Sequence, residues 1–243
     1  MNTDKDHNIM WNGKMKALTF SFDDAVCQDV RFIEILNKYG LRGTFNINSN
    51  RLGESGRTVK IGGVEISHDK ISANDLRSIY EGHEVAAHTL DHPNLTTIAD
   101  DSEIIRQVEE DRLRLSELAG YEVVGFAYPC GGVNFNDRVV ELIKGRTGIK
   151  YARTIISSFS FDQQSDLYKF NPTLHQHANP KEMFALGEKF LDMKPDKPQL
   201  FYIFGHAYEF DYGDGWERIE RFCEMMSGRD DIFYGTNKEI LIS

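Results

Sequence analysis

Seven times along this 243-residue chain a short run rich in β-formers is followed by helix-like sequence or a turn-rich stretch. The β-like runs cover residues 16–22, 43–47, 84–87, 122–128, 150–155, 200–204 and 232–234. Between them, 26–39, 73–81, 101–119, 136–144, 180–191 and 215–226 read as helices. Such alternation calls for parallel strands joined by crossover helices. We expect an α/β fold, a closed or nearly closed seven-stranded (β/α) barrel. In that architecture the ends of the strands meet in space although they are far apart in sequence.

Punctuation along the chain supports these elements. Gly40 and Gly120 stop the first and longest helices. Asp100 or Asp101 caps the latter, and Pro180 opens another in its favoured first turn. Residues 1–14 read as a flexible tail and 15–243 as one domain. The polar, Gly-rich stretch 51–72 reads as a loop or small hairpin lying over whatever the second strand points at. The stretch 157–179, with His175 and His177, reads as irregular.

At 40% hydrophobic and 27% charged residues, the chain suits a soluble domain with a sizeable core. Its formal net charge of −10 argues against nucleic-acid binding through a broad basic surface. No apolar run is long enough to span a bilayer, and the first 16 residues lack the apolar region of a signal peptide. The sequence as it stands reads as cytoplasmic, and a secreted protein trimmed of its signal would read the same. Cys27, Cys130 and Cys223 are odd in number and widely spaced, which speaks against a disulfide framework or a thiolate zinc site. Cys27 and Cys223 are expected as buried apolar residues in helices.

The first β-like run ends in two adjacent carboxylates, Asp23 and Asp24. Alternation along a strand would send neighbours to opposite faces, but at a strand end both can reach one cavity, one acid binding a metal while the other acts as base. The blander alternative is an Asp-rich helix cap. The third strand runs into His88 and His92, whose four-residue spacing on a tight bend aims two imidazoles at one point. With Asp24 they make a two-histidine, one-carboxylate set. Three protein ligands with an open position is the pattern of a catalytic metal: zinc first, with cobalt, nickel or iron compatible. His206 follows the buried run 200–204 at the same end of the barrel, where an imidazole suits a general acid. Pro129-Cys130-Gly131-Gly132 is a stiff turn able to offer a backbone N–H to an oxyanion, or simply to turn the chain.

Together these pieces resemble the polysaccharide deacetylase family, carbohydrate esterase family 4, over residues 16–234. Ser21-Phe22-Asp23-Asp24-Ala25 resembles its TFDDG motif, implying Asp23 as general base and Asp24 as metal ligand. His88-Thr89-Leu90-Asp91-His92 matches its HTxxH motif, implying both histidines as ligands. Ala127-Tyr128-Pro129-Cys130-Gly131 resembles RxPYG and implies an oxyanion-holding N–H on Cys130, with Tyr128 and Pro129 beside the substrate. Ile203-Phe204-Gly205-His206 implies His206 as general acid. The fold implied is a distorted (β/α) barrel, and the partner a carbohydrate. Ala127 stands where the family has an arginine that orients the catalytic aspartate. Arg153, at the end of the adjacent strand, is the candidate replacement, since its planar fork suits a carboxylate. His175 or Asp162 are candidates to support His206. Trp216, Tyr208 and Phe210 are candidates for stacking on a sugar ring.

The implied reaction is metal-assisted hydrolysis of an N-acetyl group on an amino sugar. Three alternatives stand beside it: hydrolysis of a small cytosolic amide, as in an allantoinase-like branch of this barrel; O-acetyl ester hydrolysis; and a non-catalytic barrel that binds metal and sugar.

Overall fold

The computed structural model describes residues 10–242. In chain order the elements are β1 (Lys16–Asp23), α1 (Asp29–Lys38), β2 (Gly43–Ile47), β3 (Thr58–Ile61), β4 (Val64–Ser67), α2 (Leu76–Ile79), β5 (Glu84–Ala87), α3 (Asp101–Ala119), β6 (Gly125–Ala127), α4 (Asp137–Arg146), β7 (Tyr151–Arg153), β8 (Leu174–His175), α5 (Pro180–Asp192), β9 (Gln199–Gly205), α6 (Gly215–Met226), β10 (Ile232–Tyr234) and α7 (Asn237–Leu241). The strands β7-β6-β5-β2-β1-β9-β8 lie side by side in that order, every pair parallel. The ring closes through the segment leading into β8. Phe170 donates its N–H to Ala152 O of β7 at 3.0 Å, and Thr154 N–H donates back to Phe170 O at 2.9 Å. Four residues on, the same segment pairs with β9. The result is a seven-stranded α/β barrel.

The seventh place in the ring belongs to Leu174–His175, inside the stretch read from sequence as irregular. Ile232–Tyr234 is a strand, but β10 pairs only with residues 16–18 of β1, below β2, and stands outside the ring. Of the loop or small hairpin expected within 51–72, β3 and β4 form the antiparallel hairpin. The notion of a tail over 1–14 changes for its described part. Met10–Gly13 forms a tight turn with Trp11 and Asn12 in the left-handed region, and Trp11 is buried with its indole N–H donated to Ile240 O at 3.1 Å. Residues 1–9 lie outside the described residues.

Period-2 alternation divides β1 cleanly, and all eight of its residues are buried, as befits a central strand covered on both faces. Leu18, Phe20 and Phe22 face outward; Phe20 and Phe22 pack on Phe32 of α1, and Phe20 also meets Phe222 of α6. Thr19, Ser21 and Asp23 face the barrel interior, where they meet polar partners: Thr19 Oγ1 donates to Asn237 Oδ1 at 2.9 Å, and Asn46 Nδ2 donates to Ser21 Oγ at 2.9 Å. Thr44 and Tyr151 both donate to the buried Glu84. The first residues of α7 therefore plug the bottom of the barrel, and its polar lining leads up to the site. Among the described residues no helix is long and apolar enough to cross a membrane.

Candidate active site at the C-terminal mouth of the barrel

Asp23 and Asp24 enter the same cavity by different routes. Asp23 continues the inward-facing row of β1. Asp24, after the strand, reaches the cavity through a left-handed backbone turn, φ 84°, with Ala25 at 50°. Thr89, His92 and Cys130 also have positive φ, at 69°, 64° and 70°. Residues other than glycine rarely adopt this backbone region, and such strain gathers where a site dictates geometry. All of these residues lie just past the C-terminal ends of β1, β5 and β6.

Asp23 is gripped on two sides. Arg153 Nη2 donates to both carboxylate oxygens at 2.6 Å, and Asn46 Nδ2 donates to Oδ1 at 2.8 Å. Local register explains the reach of Arg153: it pairs directly with Ala127 across β6 and β7, and the small alanine side chain leaves room for the guanidinium. The group is fully buried, with its cation face 4.8 Å from the centre of the Phe204 ring. Burial alone would raise the pKa of Asp23; Arg153, then His88 and His206, outweigh it and hold the carboxyl below its usual range.

Asp24, His88 and His92 converge, each offering a ligand atom within 4.8 Å of the other two. His88 Nδ1 lies 2.8 Å from Ala127 O, so Nδ1 carries the hydrogen and Nε2 keeps its lone pair for the cluster. Asp111 on α3 accepts the His88 backbone N–H at 2.9 Å and fixes the turn beneath it. His92 Nε2 stands 3.7 Å from Asp24 Oδ1. That oxygen is buried and has no hydrogen-bond partner among the described residues. Burial pushes the His88 pKa below its ordinary value and lowers that of His92 to about 4, so both favour the neutral imidazole. Two neutral imidazoles and an orphaned carboxylate oxygen aimed at one point fit a divalent ion.

Across the cavity, His206 Nε2 lies 4.0 Å from Asp23 Oδ2. Its Nδ1 is 3.3 Å from Glu209 Oε1, and its backbone N–H donates to Glu209 Oε2 at 3.1 Å. Burial would lower the His206 pKa, but Glu209, Asp24 and Asp23 more than reverse this and raise it to about 9. His175 Nε2 approaches the same Glu209 oxygen at 3.5 Å. Glu209, three residues after His206, is thus the acid at that imidazole, and the sequence reading missed it; a carboxylate at this spacing after the histidine was the available signal. Asp162 is elsewhere, paired with Lys197 and Gln199 near the start of β9.

The cavity measures about 470 Å³ and is walled by Tyr128, Cys130, Ile155, His175, Phe204 and Tyr208 around the acids and histidines. The Cys130 N–H meets no acceptor among the described residues, while its thiol leans on His92. Pro129 is off the cavity wall and serves the turn. Trp216 does not line the cavity: its indole donates to Asp211 Oδ1 at 2.8 Å and its ring lies under Arg31. Phe210 is buried against Phe22 and Phe32. Of the three aromatics considered for a sugar, only Tyr208 faces the cavity. Cys223 is buried as expected, but Cys27 is exposed because residue 27 precedes α1 and pairs instead with Asp69.

His68 and Lys70 were not anticipated. The extended segment after β4 runs antiparallel to the loop after Asp24, with Cys27 N–H donating to Asp69 O and Ile71 N–H to Ala25 O. Residues two apart on an extended chain share a face, so both side chains reach Asp24. His68 Nε2 is 3.0 Å from Asp24 Oδ2, and Lys70 Nζ is 3.8 Å from the same oxygen.

Fold and site define a class: a parallel α/β barrel with a two-histidine, one-carboxylate cluster beside a second, arginine-held carboxylate. The polysaccharide deacetylase family model matches residues 12–152, and the chain belongs to that family. No curated protein matches it. Among solved structures it is similar to a polysaccharide deacetylase assigned in Mycobacterium smegmatis, at 16% identity over 94% of this chain and 89% of that one, TM-score 0.64. It is also similar to a Streptococcus pyogenes deacetylase in complex with acetate, at 19% identity over 62% of this chain, TM-score 0.50; it spans only 61% of that protein. A Bacillus anthracis family 4 pseudoenzyme shares the fold at 17% identity over 93% of this chain and 66% of that one, TM-score 0.53.

Proposed function

We propose that this chain hydrolyses N-acetyl groups on an amino-sugar oligo- or polysaccharide, with a divalent ion, zinc foremost, held by Asp24, His88 and His92. One observation carries the reading. An orphaned carboxylate oxygen aimed at two neutral imidazoles sits next to a second, arginine-held carboxylate and across from an acid-supported histidine. A fold shared with a pseudoenzyme does not decide activity, so the side chains must.

Each group has a role its surroundings favour. An ion in this cluster would polarise the acetyl carbonyl and acidify the attacking water. Asp23, kept ionised by Arg153, accepts the proton of that water. The Cys130 N–H donates to the carbonyl oxygen as negative charge gathers there. His206, kept protonated and oriented by Glu209 on its Nδ1 side, turns Nε2–H to the cavity and protonates the departing amine. Acetate and a free amine result.

The test is acetate release from N-acetylglucosamine oligomers, run beside O-acetylated xylan and a panel of small amides. Release from the oligomers, lost in Asp23→Asn and His206→Ala, supports the reading. Preference for the ester or for a small amide would reassign the substrate. Binding of oligomers with no release at any pH would make the chain a non-catalytic barrel.

A further inference from the structure

Building on the metal-site reading above, we propose that His68 is a positioning residue that fixes Asp24 as a one-oxygen ligand. A carboxylate has no hydrogen to offer at this contact, so the 3.0 Å approach puts the hydrogen on His68 Nε2, donated to Oδ2. The bond commits Oδ2 to the hairpin side and leaves Oδ1, partnerless, facing His92. Lys70 Nζ stands 3.3 Å from the same His68 nitrogen and 3.8 Å from Oδ2, adding positive charge on that side of the carboxylate. Both residues are buried. The His68 ring is held edge-on to Tyr208 with centroids 4.9 Å apart, and its backbone N–H donates to Arg57 O at 2.8 Å. His68 is therefore a rigid donor, delivered by a hairpin, to the oxygen of Asp24 that the ion does not need. It touches neither of the other two ligands through a hydrogen bond; its effect on an ion runs through Asp24.

Partners behind a metal ligand typically change affinity 10–100-fold when removed. Co²⁺ is titrated into the purified full chain, followed by calorimetry and by visible absorption of the bound ion, with metal-free thermal melting as the check on folding. His68→Ala is expected to bind Co²⁺ about 10–100-fold more weakly, with an altered absorption band, because the released carboxylate can turn both oxygens to the ion. His68→Gln, which keeps an N–H donor, is expected to recover most of that loss. His68→Phe keeps the ring packing against Tyr208 without the donor and should behave as the alanine variant does, so it decides the matter if alanine does not fold. A folded Phe or Ala variant with wild-type affinity and spectrum overturns the role of His68 alone. Wild-type protein that takes up no Co²⁺ overturns the reading of the cluster itself.

Discussion

Arg153 brings a guanidinium to Asp23 from the strand beside Ala127. Removing one partner of a buried ion pair strands the other, at about 3–5 kcal/mol. Arg153→Ala should lose stability of that order in urea unfolding. It should also move the acid limb of kcat/KM upward, since Asp23 must be ionised to act and would lose the charge that lowers its pKa. A variant with unchanged stability and pH profile would sever the two residues. At His206 the sign is opposite. In the proposed mechanism the protonated form acts, so activity is expected to fall as pH rises through its pKa, raised from the ordinary 6.5 towards about 9. Glu209→Gln removes the nearest negative charge and should shift the alkaline limb downward by more than it changes KM. An unmoved limb would rule Glu209 out. Asp23, Asp24, His88, His92 and His206 were legible because they sit in contiguous strand-end motifs. His68 and Lys70 were not, because a polar, Gly-rich stretch carries no sign of the bridge that lays it against residues 25–27.

At the scale of elements, the periodic signals survived, including the short runs 43–47 and 84–87, and the shortest barrel strand was missed. α3 runs from its Asp100 cap to Gly120, left-handed at φ 80°, as periodicity and punctuation imply. β8 is two residues long, and no period can be read from two residues. What makes it a barrel strand is tertiary pairing, with β7 through Phe170 and with β9 through Leu174. β10 shows the converse: a well-formed apolar run that the ring does not need. The closing segment is anchored by Phe170, buried and packed on Tyr202 with centroids 5.7 Å apart. Phe170→Ala should cost about 3–5 kcal/mol by transfer and cavity terms, read as a lower urea midpoint at unchanged slope. A loss within 0.5 kcal/mol, the range of ordinary surface changes, would mean the closure bears little of the stability.

For the molecule as a whole, the barrel turns scattered chemistry into one site. The candidate ligands after β1 and β5, the Asp23 carboxylate held from β7 and the His206 imidazole after β9 meet because parallel strands all end at one mouth. A ligand that binds only the folded state stabilises by mass action, about 2.7 kcal/mol at one hundred times its Kd. Added Zn²⁺ or Co²⁺ should therefore raise the melting temperature, and Asp24→Ala should abolish the rise. The most direct measurement is anomalous scattering at the metal edge from crystals of the Zn²⁺- or Co²⁺-loaded protein. The account predicts a single strong peak bounded by Asp24 Oδ1, His88 Nε2 and His92 Nε2. No peak there, or one among His175, His206 and Glu209, the second group of metal-capable side chains, would contradict it.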